Sequence, residues 1–191
     1  IKGDEDENYD ININYISRRG VYKDTVGASD KENDYHFRPN QCIAMVVAPE
    51  LFNKEHALIA LDNITKHLLG KLGMKTLDPS HPRYSPNYDP TSTKDFYEAD
   101  GFNYHQGPEW VWVLGYYLRA RMQFENPNNL RQQIDEILKE HKEHIKKSEW
   151  AGLPELTNKG GNLCSASCPT QAWSAATILD ALQVLSKLKE D

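Results

Sequence analysis

The sequence predicts an all-α fold of helices joined by long loops, and three observations carry that prediction. Apolar residues recur at helical spacing in five separate stretches. No stretch alternates apolar and polar residues over strand length, so no strand of any length is expected, and no repeat of fixed period is present. Proline and glycine stand at the joints between the periodic stretches. Antiparallel helices joined in this way suit a bundle or a helical toroid.

Residues 1–19 read as a poorly ordered or variable polar segment, and 20–191 as the folded part. Polar coil continues to residue 37, broken by Gly20, Gly27 and the run Asp30-Lys31-Glu32-Asn33-Asp34. Pro39 suits a first helical position; Ile43, Ala44, Met45 and Val46 follow as a nearly all-apolar helix that Pro49 ends. Asn53 is a good N-cap for the second helix, whose Ala57, Leu58, Leu61, Ile64, Leu68 and Leu69 keep helical spacing up to a stop at Gly70. A long irregular stretch with four prolines covers 71–106, and loops of that length are often functional. The third helix, Gly107 to about Phe124, is apolar almost all round. The fourth, about Asn128 to Lys147, carries the stripe Leu130, Ile134, Ile137, Leu138 and Ile145. A turn-rich loop from Trp150 leads to the last helix, which opens at Pro169 and carries Ala172, Trp173, Ala176, Ile178, Leu179, Leu182 and Leu185.

Composition narrows the function classes. The formal net charge of the 191 residues is -6, and an acidic chain repels phosphate backbones, so no nucleic-acid partner is expected. The mean hydropathy is low, -0.72, which implies substantial exposed loop. The longest apolar run, about Cys42 to Pro49, falls far short of the roughly 20 residues of a membrane span. The acidic start Asp4-Glu5-Asp6-Glu7 is unlike a signal peptide, and the absence of an initiator Met fits a segment of a longer polypeptide. Three cysteines, Cys42, Cys164 and Cys168, make an odd count that points to a reducing compartment. A neutral glycan remains compatible, since sugar recognition rests on aromatic faces and hydrogen bonds, and 4 Trp and 10 Tyr are available.

Particular strings say more. Tyr22-Lys23-Asp24-Thr25-Val26-Gly27-Ala28-Ser29, Arg38-Pro39-Asn40-Gln41, Gly73-Met74-Lys75-Thr76-Leu77-Asp78-Pro79, Gly101-Phe102-Asn103-Tyr104-His105-Gln106-Gly107-Pro108-Glu109-Trp110, Leu153-Pro154-Glu155-Leu156-Thr157-Asn158 and Gln171-Ala172-Trp173-Ser174 follow one another in order. Together they resemble the glucosidase region of eukaryotic glycogen debranching enzymes, from about Gly20 to Lys187; residues 1–19 and about 80–99 are less family-like. The resemblance implies the C-terminal helices of an (α/α)6 toroid, with the family's 4-α-glucanotransferase on an N-terminal domain that these residues do not contain. It implies amylo-α-1,6-glucosidase activity, hydrolysis of the branch glucose of glycogen limit dextrin with inversion, in the cytoplasm and without a cofactor. The partners implied are glycogen or limit dextrin and the upstream part of the same polypeptide.

An inverting hydrolase uses two carboxyl groups, one to protonate the leaving oxygen and one to activate water from the opposite face, about 6.5–9.5 Å apart. By the resemblance Glu155 is the base, in the loop before the last helix, while the general acid is an aspartate upstream of residue 1. Taken without the motif, Glu155 would read as an exposed or capping loop carboxylate. Asp34 and Glu109 are candidates only for supporting roles. Arg38 and Asn40, at a helix N-terminus, and Tyr104, His105, Gln106, Trp110 and Trp173 are the candidate substrate-binding residues. Each has a plainer reading: Arg38 as the structural partner of Asp34 or Glu50, and the tryptophans, Trp112 above all, as core.

Weaker signals are set aside. His141 and His144 with Glu140 and Glu143 read as a solvated helix face, and Cys164 and Cys168 as free thiols rather than zinc ligands, so no metal is expected. The sequon Asn63-Ile64-Thr65 lies inside a predicted helix and is expected to be unused. Two other functions compete with the glucosidase. One is a non-catalytic helical module that binds glucan or completes a toroid, which would tolerate loss of Glu155; the other is a glucoamylase-like hydrolase, which the 101–110 string disfavours.

Overall fold

The computed structural model describes residues 12–92, 99–126 and 130–188. Part of the 1–19 segment, the tip of the long loop and the expected start of the fourth helix near Asn128 lie outside them.

The described residues are mostly helical, as the periodicity predicts. The helices are α1 (Gln41–Val47), α2 (Lys54–His67), α3 (Trp112–Phe124), α4 (Leu130–Lys147) and α5 (Ala172–Lys187). Asn53 caps α2 as expected, its side chain accepting from the His56 N–H. That helix closes earlier than the sequence suggests, with the Leu68 N–H on the Ile64 carbonyl, ahead of Gly70. The core is built around α3, which buries residues on nearly every side. It packs most extensively on α5, then on α1 and α2. Gly115 allows the α3–α5 approach: a Cβ there would stand 2.3 Å from the Thr177 carbonyl oxygen. The Thr177 hydroxyl also donates to the Trp112 carbonyl at 2.8 Å.

Two expectations are corrected. Among the described residues four short strands are present, β1 (Met74–Lys75), β2 (Glu109–Trp110), β3 (Leu156–Asn158) and β4 (Asn162–Leu163), forming one antiparallel sheet in that order. Strands of two or three residues carry no alternation to read; their pairing comes from contacts between distant loops. Because β2 occupies 109–110, α3 begins at Trp112 rather than Gly107, and α5 begins at Ala172 rather than Pro169. The second correction is His141, which is buried at 2% exposure, with Nε2 2.7 Å from the Leu72 carbonyl oxygen. It completes the inward stripe Leu130, Ile134, Leu138, while Ile145 is exposed.

The polar segment before residue 20 is tied down where it is described. Arg18 forms a two-pronged pair with the buried Asp78, at 2.7 and 3.1 Å. Asn63 of the sequon donates to the Arg19 and Gly20 carbonyls from within α2. Val47, Leu51, Ile59 and Leu179 are apolar and exposed.

Candidate active site

The small sheet assembles the site. Lys75 pairs with Glu109, and Glu109 with Thr157, so the loops that follow α2, precede α3 and precede α5 meet at one edge of the helices. Glu155, immediately before β3, is held through its backbone on both sides. Its N–H donates to the Cys168 carbonyl at 3.0 Å, and its carbonyl accepts from the Val111 N–H at 3.2 Å. Pro154 is fixed to α5 by the Ser174 hydroxyl, which donates to its carbonyl at 2.8 Å.

The Glu155 carboxylate is half-buried. Oε1 accepts from the Tyr104 hydroxyl at 2.5 Å. Oε2 accepts from the Cys168 N–H at 3.3 Å and, more weakly, from the Ser167 hydroxyl at 3.5 Å. Burial and then the Glu155 bond hold the Tyr104 hydroxyl well above its usual pKa, so it remains a donor. The Tyr104 ring lies 4.8 Å from Trp110 in an edge arrangement, 4.7 Å from His105 and 4.7 Å from Tyr88. Trp110 and His105 are themselves 4.8 Å apart.

Next to this aromatic cluster is a cavity of about 320 Å³, at the lower end of the range for small-molecule sites. Trp110, Trp112, Val113 and His105 form one part of its wall, and Asp24, Arg38, Asn40 and Thr76 another. Neither Tyr104 nor Glu155 is on this wall; they adjoin it through the contacts of the Tyr104 ring with His105 and Trp110. Trp112 is half-buried, lines the cavity and stacks on Trp173 at 4.1 Å and 17°. Trp173 is 49% exposed and extends the aromatic surface outward. The plain core reading holds for Trp110, which is 6% exposed within the core cluster, and in part for Trp112, which packs against that cluster while also lining the cavity.

Arg38 ties the wall together. Its Nη1 donates to the Thr76 and His105 carbonyls at 2.8 and 2.6 Å, and its Nη2 to Gln106 Oε1 at 2.6 Å and His36 Nδ1 at 3.3 Å. Its carboxylate neighbour is Asp24 at 3.9 Å, in place of the Asp34 or Glu50 considered from sequence. Gln106 meets Arg38 and Asn40 meets Asp24, at 2.9 and 3.2 Å. Burial, followed by the charge of Arg38, lowers the His105 pKa against an opposing pull from Glu155, so the ring is neutral at pH 7.

Both supporting carboxylates serve loops. Asp34 accepts from the Thr25 hydroxyl at 2.6 Å and the Gly27 and Ala28 N–H groups at 2.9 and 3.0 Å, fixing the loop that carries Asp24. Glu109 accepts from the N–H groups of Gly160, Gly161 and Lys71 at 2.9, 3.2 and 3.2 Å, fixing the turn after β3.

A cluster missed from sequence is Glu32, His36 and His81, whose potential ligand atoms all lie within 4.8 Å. Arg38 donates to His36 Nδ1 and the Arg83 N–H donates to His81 Nδ1, which places both ring protons on Nε2. Burial, reinforced by Arg38, His81 and Arg83, pushes His36 down to about 4. Two neutral imidazoles flanked by guanidinium groups suit a packed polar cluster better than a cation site. Among the described residues no helix is long and apolar enough to cross a membrane, and Cys42, Cys164 and Cys168 are free thiols.

Comparison with known proteins agrees with the motif strings. Residues 4–180 match the family described as Amylo-alpha-1,6-glucosidase, a match that starts well before Gly20. The chain is 45% identical over 203 residues to the Glycogen debranching enzyme of Saccharomyces cerevisiae (strain ATCC 204508 / S288c). That similarity takes in 98% of this chain and 13% of the yeast protein, so the chain spans a small part of its relative. With the ordered motifs, the fixed Glu155 loop and the aromatic cavity beside it, these matches show that the chain belongs to the amylo-α-1,6-glucosidase family.

Proposed function

We propose that this chain supplies the water-activating half of an amylo-α-1,6-glucosidase, as part of a longer polypeptide, and acts on the branch glucose of glycogen limit dextrin. The observation that carries the reading is Glu155: a carboxylate on a fixed loop, bonded to Tyr104, one ring away from an aromatic cavity, in the family's Leu153–Asn158 string.

The chemistry follows from inversion. The branch glucose sits against Trp110 and Trp112, with Trp173 extending the aromatic surface toward the rest of the glucan. Water attacks the anomeric carbon from the face opposite the leaving oxygen. Glu155 takes the water proton as the new C–O bond forms, while an acid contributed by the upstream polypeptide protonates the departing oxygen of the α-1,6 bond. The Tyr104 hydroxyl and the Cys168 N–H orient the carboxylate during the transfer. The five helices are then the closing helices of an (α/α)6 toroid. The exposed Val47, Leu51, Ile59 and Leu179 give upstream helices an apolar surface to cover. Free thiols fit a reducing, cytoplasmic setting.

The test is Glu155→Gln in the full-length enzyme. Glucose release from a branched limit dextrin is expected to fall by about 10⁴-fold or more, the upper end for acid–base groups, while transfer between linear maltooligosaccharides continues. Glucose release within a few-fold of wild type would remove Glu155 from the mechanism and favour a non-catalytic module.

A further inference from the structure

We propose that Asp24 is the specificity-determining residue of the cavity, its carboxylate accepting hydrogen bonds from adjacent hydroxyls of a single neutral hexopyranose unit. The inference rests on the reading of this cavity as the branch-glucose site, and it concerns a residue outside the acid–base pair.

Availability is the first argument. Most polar groups on the wall are already committed. Arg38 directs both terminal nitrogens at protein acceptors. The Trp110 indole N–H donates to the Tyr104 carbonyl at 3.0 Å. The Thr76 hydroxyl donates to the Pro108 carbonyl and accepts from the Gly107 N–H, at 3.1 and 2.9 Å. Asp24 receives one side-chain donor, Asn40, shared between its two oxygens. An ionised carboxylate offers about four acceptor positions, so about half remain for a ligand.

The second argument is the ion pair left open. Where this fold uses an arginine to neutralise a buried aspartate, it closes the contact: Arg18 meets Asp78 through two bonds of 2.7 and 3.1 Å. Arg38 Nε stays 3.9 Å from Asp24, beyond hydrogen-bond distance, although the two side chains are only 15% and 10% exposed. Arg38 therefore supplies charge that keeps Asp24 ionised without occupying its oxygens. Burial pulls the other way and raises the Asp24 carboxyl above its ordinary pKa, opposed by Asn40 and Arg38. Hydroxyl donors from a ligand would offset that unfavourable desolvation.

The third argument is construction. Asp24 sits on a loop whose geometry is fixed by Asp34, through the Thr25, Gly27 and Ala28 donors and through the Asp24 N–H itself, which donates to the Asp34 carbonyl at 2.9 Å. Gly27 turns this loop at φ +81°, a conformation that favours glycine. An exposed surface carboxylate needs no such support; one that must meet two hydroxyls at fixed positions does. Arg38 balances the Asp24 charge but spends its terminal nitrogens on protein acceptors, so the wall offers a phosphate no free guanidinium donor, which leaves a neutral polyol as the ligand class.

The experiment uses the full-length enzyme and measures inhibition of glucose release by glucose and by its 2-, 3-, 4- and 6-deoxy analogues. Wild type is expected to lose about 10- to 100-fold in inhibition for one hydroxyl or an adjacent pair, the range for hydrogen bonds to a charged group. Asp24→Asn is expected to weaken glucose by a similar factor and to treat the deoxy analogues as equal to glucose. Asn40→Ala, which removes the donor that aims Asp24 from an exposed position on the same wall, is expected to blunt the same discrimination and decides the matter should Asp24→Asn fail to fold. Unchanged discrimination in both variants overturns the proposal, as does wild type that does not distinguish the analogues. The Glu155→Gln assay separates the two readings: if that variant is inactive while Asp24→Asn binds glucose as wild type does, the glucosidase reading stands and the Asp24 proposal falls.

Discussion

Glu109 opens β2 and Glu155 directly precedes its partner strand β3, and their surroundings differ in a way that suits a structural pin at the first and the proposed reactive carboxylate at the second. Glu109 is 1% exposed, and its oxygens face three backbone N–H groups from two loops. Gly70 leaves room for it, since a Cβ there would stand 2.5 Å from the carboxyl. Gly160 and Gly161, at φ +72° and +76°, turn their amides onto it. Glu155 has a phenol hydroxyl as its closest donor, long contacts to Cys168 and Ser167, and a half-buried position beside a cavity. With the Thr157 hydroxyl at 3.4 Å as a fourth donor, Glu109 has no acceptor position left for water, whereas Glu155, with three donors of which two are long, keeps one.

The same isosteric change at both positions should separate them most widely. Glu109→Gln turns an amide NH₂ toward backbone N–H groups in a buried site. It is expected to destabilise the protein by about 3 kcal/mol, the scale of a broken buried charged network. For a domain of this size that corresponds to roughly 6–12 °C in Tm. Glu155→Gln should shift Tm by no more than about 2 °C, because its surroundings are half open. Thermal melting of the two variants side by side checks this, and equal shifts would dissolve the distinction.

A smaller effect sharpens it. Tyr104→Phe removes the closest donor to Glu155 and keeps the ring packed on Trp110 and His105. Glucose release is expected to fall roughly 10-fold with little change in Tm, since the loss is one oriented hydrogen bond rather than the proposed base. A stability loss comparable to that of Glu109→Gln, with turnover preserved, would assign the Tyr104–Glu155 bond to the scaffold.

The helices were legible because each buries a face with period near 3.6, and Asn53 marks its helix start by local chemistry alone. His141 carries the same signal beneath its charged neighbours: Leu130, Ile134, Leu138 and His141 continue one stripe. The sheet was not, because Lys75, Glu109 and Thr157 lie far apart in sequence and meet only once the helices pack. Arg38, Trp110, His105 and Glu155 came from motif strings, and the structure gathers them around Tyr104 and the cavity. Asp24 belongs to one of those strings but sits in polar coil with no periodicity. Its significance depends on Asp34, Asn40 and Arg38 reaching it across 10 to 16 residues.

The most direct test of Glu155 as the water-activating base is chemical rescue. Glu155→Ala in the full-length enzyme leaves space where the carboxylate stood, with the upstream acid intact. Azide added with a branched limit dextrin should restore part of the lost turnover and give β-glucosyl azide, the product of attack opposite the α-1,6 bond. An α-configured azide, or a well-folded variant whose turnover matches wild type without azide, would contradict the assignment.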